Sequence, residues 1–174
     1  MATRTQISFA SIDSPVGSLL AGVTENALCF LEFSNPERLE LQIGRLRNRL
    51  RAEVVNERHT LLDTLTEQLD EYFAGKRRTF DVPLAYPGTG FQQRVWSALL
   101  EIPYGQTCSY LTLANRVGNP EAVRAVGQAN GMNPIAIVIP CHRVINSSGA
   151  LGGYGGGLPR KQHLLNLERG DVLF

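Results

Sequence analysis

Pro140-Cys141-His142-Arg143-Val144 sets a thiol, an imidazole and a guanidinium side by side. A cysteine attacks as its thiolate, which is only about 3 % of an ordinary thiol at pH 7. A histidine that takes the proton removes that limit. Five apolar residues, Ile135 to Ile139, run into the motif and read as a buried segment. Pro140 stops any strand ladder there. Such an arrangement would hold a single nucleophile at the mouth of a pocket. Taken alone, the pair fits an inert buried thiol better than a nucleophile; the motifs around it reverse that balance.

The elements that must position this motif are legible along the chain. Ile7 to Ile12, Ser18 to Val23 and Ala27 to Phe33 read as three strands, with Ser14-Pro15-Val16-Gly17 as the first turn. Cys29 reads as a small core residue. Asn35-Pro36 is a cap followed by a helix start. The helix it opens carries Leu39, Ile43, Leu46 and Leu50 on one buried face. Arg45, Arg47, Arg49 and Arg51 fall on its other side; they could form a phosphate patch, but read rather as a solvated face balanced by Glu37, Glu40, Glu53 and Glu57. A second helix runs from about Thr60 to Ala74, and a strand is expected around Phe80 to Leu84. Residues 85–90, with two Gly and one Pro, read as a linker. The expected domains are therefore 1–88 and 89–174.

After the linker, Phe91 to Leu100 reads as a helix with Val95, Trp96 and Leu99 available for a core. Ser109 can cap a helix through Val117, with Leu111, Leu113, Ala114 and Val117 mostly inward. Gly118-Asn119-Pro120 then breaks the chain, and Asn119 caps a second helix from Pro120 to about Asn130. Two short helices joined by a Gly-containing turn match the helix-turn-helix. The second helix is rich in small residues and holds one arginine, Arg124. Base-specific readout wants several Arg, Asn or Gln, so this helix suits sequence-tolerant binding with Arg124 as a solitary probe. The fold class that results is mixed α/β (α+β): an N-terminal three-stranded antiparallel sheet with helices, joined to a mostly helical C-terminal domain.

Bulk properties narrow the field. The 174 residues are 43 % hydrophobic and 19 % charged, with a net charge of +1. No run approaches the roughly 20 apolar residues of a membrane span, so no membrane role is expected. Met1 to Gln6 lacks the apolar core of a signal peptide. Three cysteines are too few for a disulfide scaffold, and reduced thiols in the cytoplasm are expected. The absence of Cys-x-x-Cys argues against a zinc site, and no metal is expected. Residues 1–88 hold 10 Lys and Arg against 12 Asp and Glu, whereas residues 89–174 hold 7 against 4. The half with the Cys-His motif is thus mildly basic, which permits nucleic acid.

Together, Phe91-Gln92-Gln93-Arg94-Val95-Trp96, Ile102-Pro103-Tyr104-Gly105, Arg124-Ala125-Val126-Gly127, Asn133-Pro134, Ile139-Pro140-Cys141-His142-Arg143-Val144 and Gly153-Tyr154-Gly155-Gly156-Gly157 make residues 90–170 similar to one family. The chain resembles the DNA alkyltransferases that repair 6-O-methylguanine. Tyr72-Phe73-Ala74-Gly75 extends the likeness more weakly into the first half, where the resemblance implies a ribonuclease-H-like domain.

The resemblance implies that Cys141 accepts the alkyl group, that His142 deprotonates it through a water, and that Glu168 orients His142. It implies that Asn133 braces the site, Tyr110 donates toward the purine, and Tyr154 lies over the pocket. Arg124 would fill the gap left by a flipped nucleotide, with Ala125, Gly127, Ala129 and Arg143 also at the DNA or lesion. An extended segment points adjacent residues to opposite sides, which agrees with a water between Cys141 and His142. Ala136 and Gly155 stand where some relatives have Pro and a hydroxyl residue, which opens the pocket.

The implied activity is stoichiometric repair of O6-alkylguanine, and of O4-alkylthymine, in double-stranded DNA. It needs base flipping and no cofactor, and it stops after one event because the product is a thioether. The implied form is a stand-alone monomer able to cluster on DNA. Two other classes fit less well. A cysteine hydrolase would use the same pair but cycle, and a helix-turn-helix regulator would prefer one operator sequence. The glycines at 152–157 lack the Gly-Lys-Ser/Thr of a phosphate loop.

Overall fold

A computed structural model describes residues 4–171; the first three residues of the N-terminal stretch read above lie outside the described residues. The chain divides into two compact units, Met1–Pro87 and Gly88–Phe174.

In the first unit, β1 (Gln6–Ile12), β2 (Leu19–Val23) and β3 (Leu28–Phe33) form an antiparallel meander. Gly17 makes the first turn at φ +112°, with its N–H donating to the Ser14 carbonyl. The sheet has four strands rather than the expected three: β4 (Glu53–Val55) adds to β1 in parallel, giving the order β3-β2-β1-β4. Three residues are too few to show a strand period, and the pairing of Gln6 with Glu53 is not a local event.

Helix α1 (Pro36–Leu50) is capped by Asn35, whose side chain accepts from the Arg38 N–H. Its Leu39, Ile43, Leu46 and Leu50 pack on a core of Ile7, Cys29 and Phe30. Leu46 is buried and Leu39, Ile43 and Leu50 partly so; full burial of such a side chain stabilises by about 1.5–3 kcal/mol. Arg47, Arg49 and Arg51 are exposed. Helix α2 (Thr60–Phe73) starts at His59, whose Nδ1 accepts from the Leu61 N–H, and buries Leu62, Leu65, Leu69, Tyr72 and Phe73. The strand expected around Phe80 to Leu84 shrinks to one bridge, Leu28 with Leu84. Pro83 has no N–H to extend a ladder.

The second unit begins with α3 (Gly90–Leu100), closed at its start by a reciprocal box between Thr89 and Gln92. Val95, Trp96 and Leu99 are buried as expected. Then come β5 (Cys108–Ser109), α4 (Tyr110–Arg116), α5 (Val123–Gly131), a single 3₁₀ turn at Cys141–Arg143, β6 (Val144–Ile145) and α6 (Leu158–Arg169). Strands β5 and β6 pair in parallel, which sets the start of α4 beside the residues that follow Cys141. Ser109 caps α4.

Helices α4 and α5 form the helix-turn-helix, with two departures from expectation. Helix α5 starts at Val123, not Pro120, because residues 119–122 close a turn in which the Ala122 N–H donates to the Asn119 carbonyl. Leu111 is 46 % exposed rather than inward. Among the described residues, no helix is long and apolar enough to cross a membrane.

Candidate active site

Asn133 organises the approach to Cys141. It is buried, its Oδ1 accepts from the Ile135 N–H, and its Nδ2 donates to the Ile139 carbonyl at 2.8 Å. One side chain therefore closes the loop from 133 to 139. Ile135 to Ile139 are buried, as expected, but coiled rather than extended: the Ile139 N–H donates to the Ile135 carbonyl, and Ile137 sits at φ +70°. A β-branched residue in that region costs about 1–2 kcal/mol. Packing and the Asn133 brace hold it there, directly ahead of the nucleophile.

Cys141 and His142 lie in the 3₁₀ turn, not in an extended segment. At three residues per turn, successive side chains diverge by about 120° rather than pointing to opposite sides. Cys141 is 6 % exposed and His142 fully buried. His142 Nε2 lies 2.7 Å from Glu168 Oε1. Its Nδ1 is buried with no hydrogen-bond partner among the described residues. With an ionised Glu168, Nε2 carries the proton and Nδ1 presents a lone pair. Burial lowers the His142 pKa, the Glu168 hydrogen bond opposes it, and the Arg143 and Lys161 charges push the same way as burial. The imidazole is therefore neutral at pH 7, the form that accepts a proton.

Burial pushes the Glu168 carboxyl up, but the hydrogen bonds and charges of His142 and Arg143 outweigh it and hold it well below the usual carboxylate range. Arg143 remains a cation when His142 is neutral, so it is the lasting cause. Its Nε donates to Oε2 at 2.8 Å, its Nη2 to Oε1 at 2.9 Å, and its Nη1 to the Ile102 carbonyl at 2.6 Å. The assignment of Arg143 to DNA contact is thus corrected: the guanidinium is buried and committed to Glu168. Gly105 also donates its N–H to Glu168 Oε2, and a Cβ at Gly105 would lie 3.0 Å from the Glu168 carbonyl oxygen. That close approach explains the glycine in Pro103-Tyr104-Gly105.

Tyr110 opens α4 and is half-buried. Its ring packs against Gly127 of α5 on one side and Gly152 on the other, where φ is +70° and a Cβ would lie 3.0 Å from Tyr110 Oη. Burial raises its pKa, and so does the nearby Cys141. Tyr154 is half-buried in the loop before α6. Arg124, Ala125 and Gln128 form the exposed face of α5, with Gly127 half-buried beside them. Ala129 is corrected: it is 2 % exposed, and its carbonyl accepts from Trp96 Nε1 at 2.8 Å, locking α5 to α3.

Two residues escaped the sequence reading. Asn130, buried at the end of α5, directs Nδ2 at the Cys141 carbonyl, 3.4 Å away. Lys161 is fully buried on α6. Its spacing with Leu164, Leu165 and Glu168 marks one helix face, so a lysine in an apolar stripe was the available signal. Among the described residues, no three His, Cys, Asp or Glu side chains converge to hold a metal.

Residues 7–86 match the family described as 6-O-methylguanine DNA methyltransferase, ribonuclease-like domain, and residues 90–170 match its DNA binding domain. A methylated-DNA–protein-cysteine methyltransferase of Mycobacterium leprae is 49 % identical over 164 residues, covering 94 % of this chain and 93 % of that protein. One from Methanosarcina barkeri is 44 % identical over 162 residues, covering 92 % and 96 %. The crystal structure of Mycobacterium tuberculosis OGT in complex with DNA superposes with a TM-score of 0.80 at 43 % identity, covering 97 % of this chain and 95 % of that one.

Proposed function

Because this chain belongs to the 6-O-methylguanine DNA methyltransferase family, we propose that Cys141 is the acceptor to which it transfers the alkyl group of O6-alkylguanine in DNA. The activity is DNA repair by a methyltransferase that acts once. The observation that carries the assignment to Cys141 is the adjacent His142, neutral, buried and held by Glu168 at 2.7 Å.

The chemistry balances within the site. His142 Nδ1 takes the thiol proton through a water, and the imidazolium is stabilised by Glu168. The thiolate attacks the alkyl carbon, a C–S bond forms, and the carbon–oxygen bond to the purine breaks. Tyr110 gives its proton to the purine as the electron pair moves onto guanine, and the proton held by His142 then returns to Tyr110 through water, so in net the thiol proton is exchanged for the alkyl group on guanine. The thioether left on Cys141 has no good leaving group, so the protein is consumed. O4-alkylthymine presents the same alkyl–oxygen bond and is a second substrate.

The lesion sits inside the duplex, so the nucleotide must rotate out, at a cost of a few kcal/mol. Arg124 on the exposed face of α5 fills the gap, Ala125 and Gly127 allow close approach to the groove, and Tyr154 covers the extruded base. Asn133 holds the acceptor loop. Residues 89–174 form the DNA-binding and acceptor domain, and residues 1–88 a ribonuclease-H-like structural domain. The partner is double-stranded DNA carrying alkylated bases, on which this monomer can cluster. We place the protein in the cytoplasm, where its three thiols stay reduced.

Mixing the protein with excess methylated duplex and measuring intact mass tests the reading. One added methyl, mapped to Cys141 after digestion, is expected, with none on Cys141→Ser. A label on Cys29 or Cys108, or many product molecules per protein, would overturn it.

A further inference from the structure

Lys161 is 0 % exposed. Lysine is almost never fully buried unless its charge is paired. Among the described residues, the hydrogen bonds of this ammonium all go to neutral backbone carbonyls: Val144 at 2.6 Å, Gly153 at 3.0 Å, and Leu151. An ammonium has three donors and no acceptor, so all three protons are committed. That rules out a base or nucleophile role and leaves two uses, holding backbone and setting a positive charge near Cys141 and His142.

The three acceptors come from two segments. Val144 directly follows the turn that carries Cys141, His142 and Arg143. Leu151 and Gly153 flank Gly152, the residue whose missing Cβ makes room for the Tyr110 ring. Tyr154 comes next in the chain. The same ammonium lies 5.9 Å from the centroid of the Tyr110 ring, within reach of a cation–π attraction. Lys161 also stands seven residues before Glu168, close to two helical turns, so one face of α6 grips the acceptor segment at both ends. Glu168 holds His142 and Arg143, and Lys161 holds Val144.

We propose that Lys161 is a positioning residue for alkyl transfer, a three-point tie that fixes the glycine loop and Tyr110 relative to the acceptor turn and so sets the shape of the pocket for the alkylated base. This rests on the reading of Cys141 as acceptor. Removing the ammonium leaves the buried Val144 carbonyl and the part-buried Leu151 and Gly153 carbonyls without their donor, and the loop must move to find others. A charge-assisted bond is roughly twice as strong as a neutral one, so a neutral donor restores only part of the tie.

The test compares wild type, Lys161→Met and Lys161→Gln as full-length proteins. Three rates are measured: methyl transfer from methylated duplex, methyl transfer from free O6-methylguanine, and labelling of Cys141 by iodoacetamide at the high-pH plateau, where the thiol is fully ionised and no shaped pocket is needed. In Lys161→Met, both transfers should slow by roughly tenfold to a hundredfold, while the plateau rate of iodoacetamide labelling changes little. Lys161→Gln keeps two N–H donors and should fall between Lys161→Met and wild type. Should Lys161→Met not fold, Lys161→Gln alone decides, by the same split. Transfer at the wild-type rate in a folded variant overturns the proposal, as does an equal loss of transfer and labelling. Failure of wild type itself to transfer a methyl would overturn the acceptor reading, and this inference with it.

Discussion

Arg143 grips Glu168 by two parallel hydrogen bonds, Nε to Oε2 at 2.8 Å and Nη2 to Oε1 at 2.9 Å. The fork fixes both the charge and the rotation of the carboxylate. It leaves Oε1 aimed at His142 Nε2 and thereby fixes which imidazole nitrogen is free to take the thiol proton. A residue that the family resemblance placed at the DNA or lesion is instead the third member of an inward chain, Arg143 to Glu168 to His142.

Arg143→Lys separates these roles. Lysine keeps the charge but has no planar fork, so Glu168 and His142 lose their alignment. Methyl transfer from both duplex and free base should slow by roughly tenfold or more. Affinity for undamaged duplex, and its dependence on salt, should stay at wild-type values. Weaker DNA binding with an undiminished transfer rate on free base would return Arg143 to the DNA surface.

Acid stability reports the same carboxylate. The folded pKa of Glu168 is depressed, against about 4.3 for an unfolded Glu. Its stabilising contribution is therefore full above that unfolded value and is lost progressively as pH falls toward and through the folded one. Glu168→Gln leaves Arg143 buried without its counter-charge, which should lower stability by about 3 kcal/mol at pH 7. The gap in melting temperature between wild type and Glu168→Gln should be widest at neutral pH, begin to narrow only below about pH 4, and keep narrowing as pH falls further toward the depressed folded value. A gap that stays constant across that range would show that the carboxylate charge of Glu168 does not stabilise the fold.

Arg124 is exposed on α5, whereas Glu168, His142 and Arg143 are buried. Arg124→Ala should slow methyl transfer from duplex strongly, because the flipped state loses its filler. Reaction with free O6-methylguanine needs no flipping and should change little, and the melting temperature should hold. Equal losses on the two substrates would show that Arg124 shapes the site rather than the DNA.

Much of this was legible in the residues because the relevant physics is local. Caps at Asn35, Thr89 and Ser109 bond to N–H groups a few positions away. The four-three-four spacing on α1 marks a buried face in any helix. Asn133 bonds residues two and six positions on, and His142 follows Cys141 by covalent connection.

What only the tertiary structure decided is pairing across distance and the direction of side chains. Glu53 meets Gln6 as a fourth strand because the sheet edge offers unpaired backbone groups, which three residues of sequence do not reveal. Ala129 and Arg143 sit in stretches whose small size and charge suit DNA equally well. They turn inward because Trp96 needs the Ala129 carbonyl and Glu168 needs the Arg143 fork. The spacing of Lys161 with Leu164 and Leu165 hints at an inward lysine, but only the fold brings three carbonyls from two segments around it. A buried polar group must find its partner wherever the packed chain puts one, and that place is a property of the whole fold rather than of the neighbouring residues.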